Sequence, residues 1–398
     1  MVMLTRRKAI VLLVVMLAAY GLVYFHRVMA GIMKDEIEGF ASYYNVDPKF
    51  LLAFFPSAYF YAYALAQLFM GSLVDAYGVR RVGALMLGLM GLSTALMMLP
   101  SPLALITGRT LVGLSAAVVF VSTQRVASLY FPPTTQAIIT SLLLMTGNIS
   151  ALLATYPLRL FLTIYGVVAL LSLLALIAFA VMALVYLIAW DAGTAGKGLG
   201  LKEVWRKLGH LSREKHAWAT ALGAVASYGA GTAFQAAWGQ DLISRVFGFD
   251  KYTVSIYLMI LALSFTITAP LVGVVSDRVI GRRKPVLVAS DTASAISWVA
   301  ITLSILFHNS AMLLLSLVIL GVSMGLHVVA PPMAKEPYGP DYSATATSFF
   351  NLVLFTGIAI LQSTEPFIGP LFNSLLSAVV SVIGLAVVLA WSRETLNS

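Results

Sequence analysis

The chain has 398 residues, of which 60% are hydrophobic and only 10% are charged, whereas an average soluble domain has about 25% charged residues. Because the apolar excess runs along the whole chain, this composition excludes a soluble domain with one anchor and predicts an integral membrane protein. The formal net charge is +9, but the basic residues stand in short clusters between apolar runs, which argues against nucleic-acid binding. The lack of cysteine excludes disulfides, thiolate metal sites and cysteine nucleophiles.

Apolar segments that can cross a bilayer, which takes about 20 residues each, recur along the chain. They do not alternate in hydrophobicity, so they predict helices and not the strands of a β-barrel. We predict an all-α membrane protein of twelve transmembrane helices in two pseudo-symmetric six-helix bundles. The first six spans are 9–33, 51–74, 82–99, 103–128, 137–157 and 161–190, and the last six are 217–246, 252–276, 286–307, 311–333, 343–364 and 369–392.

The predicted bundles are residues 1–190 and 217–398, and a polar loop at 191–216 joins them. Lysine and arginine are concentrated at one end of the spans. This end carries Arg6, Arg7, Lys8, Arg80, Arg81, Lys197, Lys202, Arg206, Lys207, Arg213, Lys215, Arg278, Arg282, Arg283, Lys284, Lys335 and Arg393. Under the positive-inside rule it faces the cytoplasm. We therefore predict a multi-pass protein of the plasma membrane with both termini in the cytoplasm.

Two loops of the chain repeat one motif. "GSLVDAYGVRR" begins at Gly71 and follows the second span, and "GVVSDRVIGRR" begins at Gly273 and follows the eighth. Their glycine, aspartate and paired arginines match at one constant offset along the chain. The repeat predicts two equivalent halves, and halves of this kind place a substrate site near the midplane between them.

Twelve spans, a central loop and two loops of the form G-x-x-x-D-x-x-x-x-R-R resemble the major facilitator superfamily over the whole chain. The first loop keeps Gly71, Leu73, Asp75, Gly78, Arg80 and Arg81 of that family's usual G-x-L-x-D-R-x-G-R-R. Ala76 departs from it, because a basic residue is usual there. "RTLVG", which begins at Arg109, resembles the R-x-x-x-G pattern of the family's fourth helix. The resemblance implies secondary transport by alternating access without a cofactor, and it ties Arg109 to proton coupling.

The repeated loops are also predicted to form a conformational latch. Asp75 ends a helix beside Arg80 and Arg81, so it can pair with them or cap a neighbouring helix. The predicted latch residues are Gly71, Asp75, Arg80, Arg81, Asp277, Arg282 and Arg283. Such a latch holds the halves together in the outward-open state and breaks in the inward-open state. In the alternative interpretation, the arginines only fix the topology.

Arg27 stands inside the first span, where a charge costs about 2.5–3.5 kcal/mol on insertion scales. Tyr20, Tyr24 and Arg27 share one helix face, because they are four and three residues apart. A guanidinium between aromatic rings suits a planar anion such as a carboxylate, so we predict Arg27 to be the main anchor of the cargo. The Y-x-x-R sequence also resembles the organophosphate and organic-anion branches of the superfamily. Alternatively Arg27, about 28 Å from Lys8 along an untilted helix, reaches the outer headgroups.

Further side chains are predicted to contact the cargo. Arg125 in the fourth span is a candidate for the second half of an anion clamp, or else binds the headgroups. Tyr228, Gln235 and Trp238 fall close to one face of the seventh span, although Trp238 also suits the interfacial belt. Asn351 in the eleventh span needs a hydrogen-bond partner, either in the cargo or in another helix.

Few acids lie at mid-membrane, so we predict that proton coupling depends on other groups. Histidine titrates near neutral pH, which makes His327 in the tenth span and His26 beside Arg27 candidates, together with Arg109. Asp291 is predicted to pair with the basic loop at the start of the ninth span. Exchange of one anion for another is the alternative to proton coupling.

The sequence predicts a secondary active transporter of a small organic anion, working as a monomer in the lipid bilayer. It contains no P-loop and no hydrolase or metal-site motif, which argues against a pump and against an enzyme. The alternative is a multidrug-type exporter of apolar or cationic compounds. A third hypothesis is a transport-inactive sensor that binds partners through the loop 191–215.

Overall fold

The computed structural model describes residues 6–190 and 201–396, and these residues contain helices and no strand. The helices before the central loop are α1 (Arg6–Met29), α2 (Lys34–Tyr43), α3 (Pro48–Tyr77), α4 (Ala84–Leu96), α5 (Pro102–Tyr130), α6 (Pro133–Leu153) and α7 (Tyr156–Ile188). Those after it are α8 (Leu201–Leu211), α9 (Lys215–Ala224), α10 (Ala230–Ala233), α11 (Gly239–Phe247), α12 (Lys251–Val274), α13 (Lys284–Leu306), α14 (Ser310–Leu326), α15 (Ala330–Lys335) and α16 (Gly339–Trp391).

Among the described residues, 10 helical stretches are long and apolar enough to cross a membrane. The predicted fifth span is a shorter apolar helix, Ile138–Leu153. The predicted seventh span consists of α9, α10 and α11, because π-helical turns at Val225–Gly229 and Phe234–Trp238 interrupt it. With these two stretches the helix order matches the predicted spans, and the predicted all-α, twelve-helix fold is confirmed.

The helix boundaries follow local sequence signals. Asp47 caps α3 by accepting a hydrogen bond from the backbone N–H of Lys49, and Gly78 ends that helix with a φ of 85°. Gly369, with a φ of 76°, separates the two spans within α16. Asp250 caps α12, and the hydroxyl of Thr253, with the nearby backbone N–H groups, holds the pKa of this exposed carboxyl below its ordinary value.

The membrane-crossing helices pack in two groups. Helix α3 packs on α5, α4 on α7 and α1 on α6 before the central loop, whereas α12 and α13 pack on α14, and α9 packs on α16, after it. The two groups meet where α3 packs against α16 and α6 packs against α12. We call the end with the loops after α3 and α12 the basic face, and the end with α2 the opposite face.

Helix α8 lies across both groups at the basic face. Its apolar side, which includes Val204 and Leu208, packs in one cluster with Leu68 of α3 and Phe349 of α16. The amphipathic sequence of α8 explains this position, because only one side of the helix is apolar. Of the predicted loop 191–216, residues 191–200 lie outside the described residues.

Candidate substrate-binding site

Arg27 lies near the end of α1, and aromatic rings from both helix groups surround it. Its guanidinium carbon is 4.3 Å from the ring centroid of Tyr24, 5.1 Å from that of Tyr63 and 5.0 Å from that of Phe355. Tyr24 and Tyr63 belong to α1 and α3, whereas Phe355 belongs to α16. We call Tyr24, Arg27, Tyr63 and Phe355 the aromatic cage. Because Arg27 is only 2% exposed, protein side chains enclose it, and it does not extend to the molecular surface.

The Arg27 guanidinium has no acidic partner among the described side chains. None of their ion pairs includes Arg27, and its Nε atom has no hydrogen-bond partner. Cation–π contacts contribute about 0.5–2 kcal/mol each, which is small beside the cost of burying an unpaired charge. The cage therefore presents positive charge and an unused donor to any group that enters it.

More tyrosines extend the cage within the first helix group. The Tyr20 ring lies 5.0 Å from the Tyr24 ring, and the Tyr59 ring stacks 5.9 Å from the Tyr63 ring. The Tyr59 hydroxyl donates to the backbone carbonyl of Val23 at 3.4 Å, which ties α3 to α1. These tyrosines surround Arg27 with hydroxyl groups that can donate or accept hydrogen bonds.

The second helix group adds Tyr228 and His327. Tyr228 interacts electrostatically with Arg27, and its ring stacks on His327 with centroids 4.5 Å apart. Neither ring nitrogen of His327 has a hydrogen-bond partner. The structure thus brings Tyr20, Tyr24 and Arg27, which the sequence placed on one helix face, together with Tyr228 and His327 of the second helix group.

Sequence reasoning missed Tyr59, Tyr63 and Phe355. The two tyrosines carried a signal, because the stretch "YFYAY" places them four residues apart on one helix face. Phe355 stands in an apolar run, "LVLFTG", where nothing in the sequence distinguishes it from core residues.

The seventh span departs from the predicted common face of Tyr228, Gln235 and Trp238. The two π-helical turns change the number of residues per turn, so a periodicity of 3.6 does not hold there. Trp238 packs inside the second group, with its ring 4.9 Å from Phe234 and 5.4 Å from Trp298. The contact of Trp238 with the cargo therefore stays a prediction. Gln235 is buried, and its Nε2 atom has no hydrogen-bond partner.

Arg125 and Asn351 also lie in settings that differ from the predicted ones. Arg125 is near the basic face, where its Nη1 atom is 3.5 Å from the Oδ1 atom of Asp75. This ion pair argues against the predicted anion clamp. Asn351 donates from Nδ2 to the Oε1 atom of Gln67 at 3.3 Å, so its amide joins α16 to α3. This contact corresponds to the interhelical alternative.

The described contacts of the predicted latch stay within one helix group each. Asp75 pairs with Arg125, and Arg80 donates from Nε to the carbonyl of Tyr186 at 2.9 Å. Arg283 pairs with Glu336. The side chain of Asp277 lies outside the described part of the structure. A latch between the halves therefore stays a prediction.

Arg109 is a second buried arginine of the first helix group. Its Nε atom donates to the carbonyl of Phe55 at 3.0 Å, and its guanidinium lies over the ring of Tyr59 at 4.9 Å. Its Nη1 and Nη2 atoms have no hydrogen-bond partner. His26 lies in the same region, with Nε2 3.5 Å from the hydroxyl of Thr94. Tyr59 interacts electrostatically with both Arg27 and Arg109, so two positive charges without a described acidic partner flank this ring.

At the opposite face, a third buried arginine has many partners. Arg159 of α7 is 1% exposed, and its Nη1 atom lies 2.7 Å from the Oε1 atom of Glu36. Its Nη2 atom donates to the backbone carbonyl of Ile32 and, at 3.4 Å, to the Oε1 atom of Gln240. Because Gln240 belongs to α11, Arg159 joins the two helix groups.

Other contacts close this face beside Arg159. Lys34 forms an ion pair with Asp241, which also pairs with Arg245 at 2.9 Å. The backbone of Gly31 lies directly against the carbonyl of Gln235. We call Lys34, Glu36, Arg159, Gln240 and Asp241 the charged closure. It lies between the opposite face and the cage, whereas α8 and the Gln67–Asn351 hydrogen bond lie toward the basic face.

Comparisons with known proteins agree with this architecture. The profile of the Major Facilitator Superfamily matches residues 11–360 and 220–397. No curated protein sequence gives a significant match.

Solved structures share the fold at low sequence identity. A D-xylose-proton symporter superimposes with a TM-score of 0.78 at 12% identity and covers 97% of this chain and 98% of its own. The xylose transporter XylE from E. coli, in a partially occluded inward-open conformation, has a TM-score of 0.77 at 12% identity, with 98% and 99% covered. A bacterial homolog of the human lysosomal transporter Spinster, inward-facing and occupied, has a TM-score of 0.70 at 14% identity, with 95% of each chain covered.

The family profile covers most of the chain, and the solved transporters share its helix arrangement from end to end. The predicted resemblance is therefore confirmed, and so is the prediction that the protein is not an enzyme. This chain is a multi-pass membrane transporter that belongs to the Major Facilitator Superfamily.

Proposed function

We propose that this protein is a secondary active transporter of a small organic anion with a carboxylate-like group, and that Arg27 is the anchor of this cargo. One observation carries the proposal: Arg27 is buried, has no described acidic partner and lies between the two helix groups. A guanidinium binds a carboxylate through two parallel hydrogen bonds, which supplies the missing counter-charge.

The other residues of the site fit the same cargo. The unpaired guanidinium of Arg109 adds positive potential behind Tyr59, and positive charge disfavours the cationic compounds of the multidrug alternative. The hydroxyl of Tyr228 and the amide of Gln235 offer hydrogen bonds from the second helix group. Alternating access then means that the two groups rock about the cage, which is built from both.

We further propose the orientation and the energy source of transport. The protein works as a monomer in the plasma membrane, with the basic face and both termini in the cytoplasm, because basic residues are retained on that side. Transport is coupled to protons or proceeds by exchange. His327 is a candidate proton carrier because it is unpaired and stacks on Tyr228 beside the cage.

A thermal-shift screen of the purified protein tests the cargo class. We expect carboxylates to raise the unfolding temperature more than phosphates, neutral sugars or cationic dyes do, because they complement the Arg27 charge. Arg27→Ala removes a buried charged hydrogen bond worth about 2 kcal/mol or more, so the affinity for the stabilising anion falls about 30-fold or more. Arg27→Lys keeps the charge but loses the bidentate geometry, and we expect an intermediate affinity.

Arg245→Ala is the matched control, because it removes an arginine whose side chain is 56% exposed and outside the cage. We expect it to leave the affinity unchanged. Carboxylate uptake into proteoliposomes that survives both Arg27 variants contradicts the proposal. Stabilisation by cationic dyes alone favours the multidrug alternative.

A further inference from the structure

Asp291 of α13 is a buried acid whose position differs from the predicted one. Its side chain is fully buried, and neither carboxyl oxygen has a hydrogen-bond partner. No described basic side chain forms an ion pair with it. The basic loop before α13 instead meets Glu394, which accepts hydrogen bonds from the backbone N–H groups of Arg283 and Lys284 at 2.9 and 3.1 Å. The prediction that Asp291 pairs with this loop is therefore wrong.

The carboxyl group of Asp291 points at helix α9. A Cβ atom placed on Gly223 would lie 2.9 Å from the Oδ2 atom of Asp291 and 2.6 Å from a methyl group of Val388. Glycine at 223 thus lets the α9 backbone approach the acid closely. The π-helical turn Val225–Gly229 begins two residues further along the same span.

The serine hydroxyl groups on α13 and on the helices packed against it donate hydrogen bonds to backbone carbonyls. Ser227, which lies beside the carboxyl, donates to the carbonyl of Gly223 at 2.9 Å. Ser294 and Ser381 donate to the carbonyl of Ala226 at 2.7 and 3.1 Å. A carboxylate needs several donors, and the one hydroxyl beside this carboxyl, that of Ser227, already donates to Gly223, whereas a neutral carboxyl group can donate its own proton to the Ser227 oxygen.

The charged and titratable groups on the neighbouring helices also leave Asp291 unpaired. They include Tyr228, His216 and Lys215 from the seventh span, His327 from the tenth, Lys284 from α13 itself, and Arg393 and Glu394 after α16. Lys215 lies at the start of α9, with its Nζ atom 5.9 Å from the ring centroid of Trp391. His216 is engaged with the carbonyl of Met333 and the backbone N–H of Arg393, and Lys284 donates to backbone carbonyls at the end of α16. Tyr228 and His327 stack on each other. None of these groups supplies a counter-charge.

We propose that Asp291 is a proton-binding site in the second helix group, and that its proton leaves when α9 moves away from α13. A metal cation does not suit the site, because such ions need about six oxygen ligands and here the backbone of Gly223, which also lies against a methyl group of Val388, covers the carboxyl. That this proton drives transport rests on the proposed function. That Asp291 binds a proton does not.

Proton release follows from movement at the π-helical turn. In the present arrangement Gly223 covers the carboxyl. When α9 bends away at Val225–Gly229, water from the basic face reaches Asp291. The carboxyl O–H bond then breaks, the electron pair stays on the carboxylate, and the proton passes to water. The carboxylate that remains needs hydration, so it opposes the return of Gly223 until a proton binds again.

Infrared difference spectroscopy tests proton binding without any cargo. Protein at neutral pH is compared with protein in alkaline buffer, and we expect a band of a protonated carboxyl group that disappears at high pH. The band is lost in Asp291→Asn and shifts in frequency in Asp291→Glu. Asp241→Asn is the matched control, because Asp241 is a buried acid that, unlike Asp291, has two cationic partners. No band in the native protein, or a band that persists in Asp291→Asn, overturns the proposal.

Cysteine labelling tests the linked movement, because the native chain has no cysteine. In a Val388→Cys protein, alkaline buffer should increase labelling from the basic face several-fold more than in the same protein with Asp291→Asn. Comparing the increase in the two backgrounds cancels the pH dependence of the thiol's own reactivity. Equal labelling in both backgrounds overturns the proposed link between proton release and the movement of α9.

Stabilisation by sodium that depends on Asp291 overturns the proton-binding proposal in favour of a metal site. The carboxyl band persists in Arg27→Ala whether or not the cargo is an anion, so the two proposals can fail separately.

Discussion

The cage and the charged closure each contain a buried arginine, and the two arginines differ in their partners. Arg27 is 2% exposed and Arg159 is 1% exposed, yet only Arg159 has an acid, a backbone carbonyl and an amide within reach. The burial of a charge is tolerated where it is paired and is costly where it is not. Two equally buried arginines therefore have different roles. Arg159 holds the two helix groups together, whereas the charge of Arg27 stays available to a bound anion.

Replacing Arg159 should have the largest effect on stability. Arg159→Leu leaves the half-buried Glu36 beside an apolar side chain, and breaking a pair of this kind costs up to about 3–5 kcal/mol, the value for a fully buried pair. We expect a large fall in the unfolding temperature of the purified protein. Arg245→Ala is the control, since Arg245 is exposed and Asp241 keeps its ion pair with Lys34 when Arg245 is removed.

The unfolding temperature of Arg27→Leu tests the difference between the two arginines from the other side. Removing a buried charge without an acidic partner leaves no acid unpaired, so we expect an unchanged or higher unfolding temperature when no cargo is present. A loss of stability equal to that of Arg159→Leu would mean that Arg27 is as well satisfied as Arg159. That result would contradict the distinction between the two arginines.

The sequence predicts the parts of this comparison that depend on one helix. Hydropathy places the spans, and the spacing of Tyr24 and Arg27 places them on one face. The sequence does not predict the contacts that depend on how the two halves pack against each other. Nothing in the sequence marks the role of Arg159, because its partners, Glu36 and Gln240, come from a short surface helix and from the other helix group.

Two further positions depend on features that spacing does not contain. Trp238 was assigned to the site by a regular periodicity, and the π-helical turn Phe234–Trp238 changes that periodicity. Arg125 was assigned by its charge, and it forms an ion pair with Asp75, which lies on another helix. The role of both residues in binding cargo stays a prediction.

Gly31 tests whether the charged closure can be opened by packing alone. A Cβ atom in Gly31→Ala would overlap the carbonyl of Gln235, so α1 and the seventh span must separate. Overpacking costs about 1–3 kcal/mol, which corresponds to about a 5- to 150-fold shift toward the open arrangement. We expect faster labelling of a Thr232→Cys protein from the opposite face, because Thr232 is buried in the same span as Gln235, between it and Tyr228 in the chain.

Gly39→Ala is the matched control for this change. Gly39 lies on α2 at the same face, and a Cβ atom there meets nothing within 4 Å. It should leave the labelling rate of Thr232→Cys unaltered. If Gly31→Ala labels no faster than Gly39→Ala, the close approach of Gly31 and Gln235 does not keep this face closed.

Phe355 gives the smallest expected effect and tests whether the second helix group takes part in holding the cargo. Phe355→Leu keeps an apolar side chain but removes one ring from the Arg27 cage, and a cation–π contact contributes about 0.5–2 kcal/mol. Because Phe355 also positions the guanidinium from the far side of the boundary between the halves, affinity for the stabilising anion should fall about 2- to 30-fold. Phe355→Tyr, which keeps the ring, should retain the native affinity.

Tyr186→Leu is the control, because it removes a ring from Arg80 near the basic face and should not change affinity. Unchanged affinity in Phe355→Leu would restrict the cargo site to the first helix group, and the rocking of the two groups about a shared cage would lose its structural basis.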